Sequence, residues 1–189
     1  MSISGESVDR SAHPLFQEEG GGSIPTSPLA LLFLPCSVNL AIRLNMQWHS
    51  RLPIVVHSNI TRNATHVCYK AECRGLYYAV AIWTSPTNFV LPNKTWLELR
   101  RFAIAPDAPR NTASRMLGWM VRSIRQHFPH IERLISYQDC DAHKGTIYKA
   151  SGWSPSVKSF EHRDRGKRAG RKRNNSQTTA TKQRWELQL

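Results

Sequence analysis

The sequence predicts an α/β (α+β) domain: a mixed central sheet flanked by helices. Three observations carry that prediction. The chain has 189 residues, 40% hydrophobic and 21% charged, and a single domain usually runs about 100–200 residues. Two segments rich in aromatic and β-branched residues, 66–73 and 76–84, flank Arg74-Gly75 and read as a hairpin. A strand, a helix and a strand then follow one another over residues 95–137, and such a crossover joins parallel neighbours in one sheet.

Taken in order, residues 1–27 are rich in Ser, Gly and Glu and include Gly20-Gly21-Gly22. That composition buries too little to offset its ordering entropy, so a flexible arm is expected. A helix follows from Ser37, a good N-cap, to about Ser50, with Val38, Ala41, Ile42, Asn45 and Met46 as its stripe. After the hairpin, residues 95–105 alternate as a strand, and Ala105-Pro-Asp-Ala-Pro109 stops it. Asn111-Thr112 can cap a helix to about His127, whose buried stripe is Met116, Leu117, Met120, Val121 and Ile124. Pro129 ends that helix. A short strand is expected over 131–137 and a helix over 143–151, closed by Gly152 at C′. The domain thus spans 28–157, and residues 158–189 read as a basic tail.

The longest apolar stretch, 27–36, is short and broken by Pro28 and Pro35. A membrane span needs roughly 20 apolar residues, so no membrane partner is expected. The first ten residues hold Glu6, Asp9 and only Arg10, the wrong pattern for a secretory leader. Cys36, Cys68, Cys73 and Cys140 form no Cys-x-x-Cys pair, so reduced thiols in a cytoplasm are expected. Net charge is +13, and ten basic residues against two acidic ones lie between Lys158 and Arg184. Such a run attracts a polyanion by counterion release, which points to nucleic acid; the plainer alternative is a solvated, solubilising tail.

Three features could carry chemistry. The strand-to-helix junction, with Arg110 and Ser114 around a helix start, suits an anion such as a diphosphate, although an ordinary capped helix looks the same. The stretch Tyr137-Gln-Asp-Cys-Asp-Ala-His143, followed by Tyr148, gathers carboxylate, imidazole and phenol at one strand end. That set can perform acid–base work or hold a metal. The third is His49 in Gln47-Trp-His-Ser-Arg-Leu-Pro53. Were His49 to meet Asp139 and His143, the set would suit iron(II). Singly, Asp141 can cap, Tyr148 can pack and His143 can be a surface residue.

The strand 96–105, the helix start 110–114 and Ile147-Tyr-Lys-Ala-Ser-Gly-Trp153 resemble the GNAT acyltransferase superfamily. More closely, Trp48-His-Ser-Arg-Leu-Pro53, Pro106-Asp-Ala-Pro-Arg-Asn-Thr-Ala-Ser114 and His143-Lys-Gly-Thr-Ile-Tyr-Lys-Ala150 are similar to the Mom proteins of Mu-like phages. The resemblance spans residues 38 to about 157. The usual glycine-bearing phosphate loop is replaced by Arg110-Asn-Thr-Ala-Ser114.

The resemblance implies a GNAT-like fold and a transferase that adds a carbamoylmethyl group to the exocyclic amine of adenine in phage DNA, blocking host restriction. It implies His49, Asp139 and Tyr148 as catalytic residues. For acetyl-CoA or a related acyl donor it implies Arg101, Phe102, Ile104, Arg110, Asn111, Thr112, Ala113 and Ser114. Iron on His49, Asp139 and His143 is chemically able to form. Double-stranded DNA in the host cytoplasm is the implied partner, and a homodimer stays open.

The adenine amine is conjugated and inside the duplex, so the base must flip out at a cost of a few kcal/mol and lose a proton to a base. Trp48, Trp83, Tyr137 and Trp153 are candidates to stack it, though such residues commonly pack in cores. Two other readings compete: a conventional GNAT N-acetyltransferase acting on a protein or small-molecule amine, and a nucleic-acid-binding protein with an inactive acyltransferase fold. Ordinary adenine methyltransferases are excluded, because neither their Asn/Asp-Pro-Pro-aromatic motif nor a glycine-rich cofactor loop occurs.

Overall fold

A computed structural model describes residues 24–48, 55–159 and 181–189. Its elements are β1 (Leu32–Pro35), α1 (Val38–Trp48), α2 (His57–Thr61), β2 (His66–Cys73), β3 (Leu76–Thr84), β4 (Trp96–Ile104), α3 (Thr112–His127), β5 (Arg133–Asp139), α4 (Thr146–Ala150), β6 (Ser154–Ser159) and β7 (Lys182–Gln188). The strands form one sheet in the order β1-β2-β3-β4-β5-β7-β6. Among the described strands only β4 and β5 run parallel; the other neighbouring pairs are antiparallel.

The hairpin forms as its sequence dictates. Arg74 (φ 52°) and Gly75 (φ 79°) both take left-handed backbone, the geometry that matches the twist of two paired strands. β3 is buried from Tyr77 to Thr84, because helices cover both of its faces, and a doubly covered strand reads as a continuous apolar run. On one face α3 lays Met116, Leu117, Met120, Val121 and Ile124 against Tyr69, Trp83, Leu97 and Leu134. On the other, Ala41 and Leu44 of α1 and Ile60 of α2 pack on Cys68, Val80, Ile82 and Ala103. The four cysteines are free, and burial pushes the Cys36 and Cys68 thiols up to about 12. Among the described residues no helix is long and apolar enough to cross a membrane.

Four departures from the sequence expectation matter. The expected tail contains a strand: β7 lies between β5 and β6 with Trp185 only 3% exposed. Its sequence alternates, with Trp185 and Leu187 turned to the α3 side and packed in that core. Arg184 and Glu186 lie on the opposite face and pair with each other at 2.7 Å. Two apolar residues under a long basic run left the strand hidden. Residues 160–180, which hold most of that run, lie outside the described residues but join β6 to β7, two paired strands. They are a connection, not a terminus.

Second, the expected helix over 143–151 shortens to Thr146–Ala150. The Asp139 carboxylate accepts the backbone N–H groups of Asp141 (3.0 Å) and Ala142 (3.2 Å). The turn so made competes with helix, as Asp side chains do. Third, Asn111 precedes α3 in left-handed backbone (φ 67°) and its side chain makes no capping bond. Fourth, β1, α2 and β6 are elements that the sequence did not announce.

Candidate active site

The site begins where a parallel pair comes apart. β4 and β5 pair from Trp96/Arg133 to Leu99/Ser136 and no further. Beyond that point Tyr137, Gln138 and Asp139 pair only with β7. β4 meanwhile carries a bulge: Arg101 faces Ile82 while Leu99 faces Trp83, so Arg100 is an extra residue. A bulge bends its strand and re-aims the side chains around it. The divergence opens a cavity of about 350 Å³ lined by Leu99, Arg100, Arg101, Phe102 and Ile104 of β4 and Ser136 to Asp139 of β5. The stretch from Ala142 to Tyr148, with Ala113 and Lys182, completes the wall.

Alternation along β5 gives the cavity two unlike sides. Ser136 and Gln138 lie on the α3 and α4 side, where Tyr148 waits. The Tyr148 hydroxyl is 2.8 Å from Ser136 Oγ, its ring stacks on Trp185 (centroids 5.4 Å, 14° between planes) and it meets Trp153 edge-on at 5.7 Å. Burial pushes the phenol above its ordinary value, and the Ser136 bond partly offsets that. Below it, Trp185 Nε1 donates to Gln138 Oε1 at 2.7 Å, and Gln138 Nε2 donates to the His143 carbonyl. This clasp ties β7, β5 and the start of α4 together.

Tyr137 and Asp139 belong to the opposite side. The Tyr137 phenol is raised first by burial, with Glu98 and Glu186 adding to it and Arg184 working against it. Arg101 holds its Nη1 on the Arg100 carbonyl at 2.7 Å. Burial, and next the neighbouring Arg100 charge, lower its guanidinium to about 10. The cavity mouth therefore combines a half-buried phenol, a carboxylate and closely spaced cations.

Of the residues expected from sequence, Arg101, Phe102, Ile104, Ala113, Asp139, His143 and Tyr148 all line the cavity. Arg110, Asn111, Thr112 and Ser114 do not: Arg110 and Asn111 are exposed. Thr112 Oγ1 donates to the Pro109 carbonyl (2.7 Å) and Ser114 Oγ to the Asn111 carbonyl (3.2 Å). His49 lies outside the described residues. Among the described residues no three His, Cys, Asp or Glu side chains gather as a metal site, and one Asp139 oxygen is engaged by backbone amides. Of the stacking candidates, Trp83 and Trp153 are core residues packed on each other at 6.3 Å, and Tyr137 alone is at the cavity. Sequence reasoning missed Ser136, Gln138, Gly145, Lys182 and Trp185. The alternation around Trp185 was the signal that could have found the last of these.

The fold is similar to that of an acetyltransferase from Salmonella typhimurium solved with its cofactor acetyl-CoA (TM-score 0.60, 10% identity, covering 84% of this chain and 94% of that one). It is also similar to a GNAT family acetyltransferase from Elizabethkingia anophelis with acetyl-CoA bound (0.56, 10%, 85% and 99%). A Bacillus subtilis acetyltransferase in complex with CoA is alike to the same degree (0.58, 11%, 84% and 99%). The architecture is therefore the GNAT one. No curated protein sequence matches. The profile of the Mom protein family matches residues 76–188, a stretch that runs from β3 through the split strands and α4 to β7, and the chain belongs to that family.

Proposed function

We propose that the protein is a DNA-modifying transferase that adds a carbamoylmethyl group to the exocyclic amine of adenine, shielding the DNA from host restriction enzymes. The observation that carries this reading is the strand split, set within the Mom match, with a buried phenol on one side and a carboxylate on the other. Adenine flipped from the duplex enters on the side of Tyr137, whose ring offers a stacking surface. Asp139, with His49 as the second candidate, takes the proton that the amine must lose, and Tyr148 supplies one to the leaving group. The reaction takes place in the cytoplasm where the DNA resides.

A carbamoylmethyl group is joined to the amine through its methylene carbon, so its donor must carry the leaving group on that carbon; an acyl-CoA donor would supply an acyl group at its thioester carbon, with the thiol as leaving group. The residues fit such a donor: Phe102 and Ile104 give apolar walls, and Arg101 gives a cation. Asn111 gives the first turn of α3, which Ala113 joins to the cavity, no side-chain cap; the Thr112 amide bonds the Pro109 carbonyl (3.2 Å), and the positive end of the helix dipole there favours phosphate.

The test is mass spectrometry of nucleosides from the DNA of cells that express the protein. A deoxyadenosine heavier by a carbamoylmethyl group, lost in Asp139→Ala and Tyr148→Phe, supports the reading. The acetyl-CoA seen in two of the similar folds favours one second reading, plain N-acetylation of a protein or small-molecule amine. Unmodified adenine beside acetyl-CoA consumption without DNA would establish that one instead.

A further inference from the structure

We propose that Ser136 is a positioning residue: its hydroxyl fixes the Tyr148 phenol at the apex of the β4–β5 split and donates a hydrogen bond to the charge left on that phenol when it gives up its proton. The inference rests on the transferase reading for its purpose, and on the structure for its geometry.

Ser136 is the last β5 residue paired with β4, so it stands where the two strands part. It is 2% exposed and Tyr148 is 8% exposed, yet both line the cavity. The phenol has little freedom to choose another partner. Trp185 stacks on one face of the ring and Trp153 meets it edge-on. The α4 backbone that carries it starts at Gly145, which packs against the Gln138–Trp185 bond too closely to admit a Cβ. Two rigid walls and one hydroxyl thus determine where the phenolic oxygen sits.

A second pair of the same chemistry shows what is particular here. Tyr69 and Ser123 also bring a phenol and a hydroxyl together, at 3.3 Å and buried. That pair joins β2 to α3 within the core, and neither residue lines the cavity. It satisfies two polar groups and nothing more. Ser136 and Tyr148 are closer, at 2.8 Å, and open on space that a substrate can enter.

A hydroxyl can both accept and donate. While Tyr148 is neutral, either oxygen of the pair can be the donor. When the amine bonds to the donor carbon and the C–S bond of that carbon breaks, the phenolic proton passes to the departing sulfur and the electron pair of the O–H bond stays on Tyr148 Oη. Ser136 Oγ–H then donates to that anion, a charge-assisted and therefore stronger bond. Reprotonation from water restores the phenol. Burial would otherwise make the anion costly, and the titration of Tyr148 is set by burial on one hand and Ser136 on the other.

The experiment titrates tyrosine in the full-length protein by NMR of ring-labelled tyrosine, with Tyr148→Phe assigning the signal. Ser136→Ala is expected to move the Tyr148 midpoint up by about one pH unit, since a bond to a charged group is lost, and Ser136→Thr to restore it. Ser123→Ala should leave Tyr148 unmoved. If Ser136→Ala does not fold, Ser136→Cys keeps the shape with a weak donor, and the same upward shift is expected. An unmoved midpoint in folded Ser136 variants overturns the proposal. Binding of coenzyme A alone, followed by calorimetry, separates the two ideas: no binding by the parent protein defeats the donor reading, while the titration still judges Ser136.

Discussion

Gly145 holds φ at 71°, and a Cβ there would overlap Gln138 Oε1 and come within 2.5 Å of Trp185 Cζ2. Left-handed backbone alone costs a residue with a Cβ about 1–2 kcal/mol, and the overlap falls on a bonded pair that cannot step aside. Gly145→Ala should therefore destabilise by more than that, read as a lower urea midpoint with unchanged slope. Tyr148→Phe makes a contrasting prediction. It removes one oxygen from a ring whose stacking survives, so the fold stays while the transfer rate falls by about 10²–10⁴, the usual worth of a general acid. Because burial raises the Tyr148 phenol above its ordinary value, the acid form persists through neutral pH. The parent's pH–rate profile should therefore fall only on the alkaline side of the ordinary phenol range. An alkaline limb near neutrality would assign the acid to another group.

At the scale of elements, β7 is where sequence and structure part most. Trp185 stacks on Tyr148 and donates to Gln138, so Trp185→Ala should cost about 3–5 kcal/mol, as large core truncations do. Loss of residues 181–189 should unfold the domain, whereas a mere tail could be trimmed without effect; circular dichroism decides. Glu186 adds a pH signature. Burial raises its carboxyl, but Ser156 and the charges of Arg184 and Arg133 outweigh that and hold it below its ordinary value. A depressed carboxylate stabilises above its unfolded pKa of about 4.3, and that contribution disappears as pH falls through the folded value. Glu186→Gln should accordingly lose stability at neutral pH and show a shallower decline on acidification. The hairpin, β4, α3 and β5 were legible because each carries its own period and its own stop: Arg74-Gly75, Pro106 and Pro129. The candidate site was legible as far as β4, β5 and the α4 tyrosine. Ser136, Gln138 and Trp185 were not, since a bulge and a split are properties of two strands together. Asn111 illustrates the reverse error: a good capping residue by type takes left-handed backbone and caps nothing.

Across the whole molecule, charge and topology combine. Seven basic residues against two acidic ones lie in residues 160–180, the connection between β6 and β7. Its far end re-enters at Lys182, which pairs with Asp139 and lines the cavity. The proposed DNA partner would be bound by a segment whose C-terminal end adjoins Lys182 at the cavity wall. The proposed DNA partner makes this measurable. Each phosphate contact contributes about 0.9 to the slope of log affinity against log salt. Replacing Arg171, Lys172 and Arg173 together by Ser should then flatten the slope by up to about 2.7 and weaken binding equally across DNA sequences, because phosphate contacts position without reading bases. Nucleoside modification should fall with affinity at low DNA concentration and recover at saturation, leaving the chemical step intact. A slope identical to the parent's would move the proposed DNA contact away from residues 171–173, with Lys182 at the cavity wall the next cation to replace. Failure to recover at saturating DNA would mean that these cations act on the reaction itself.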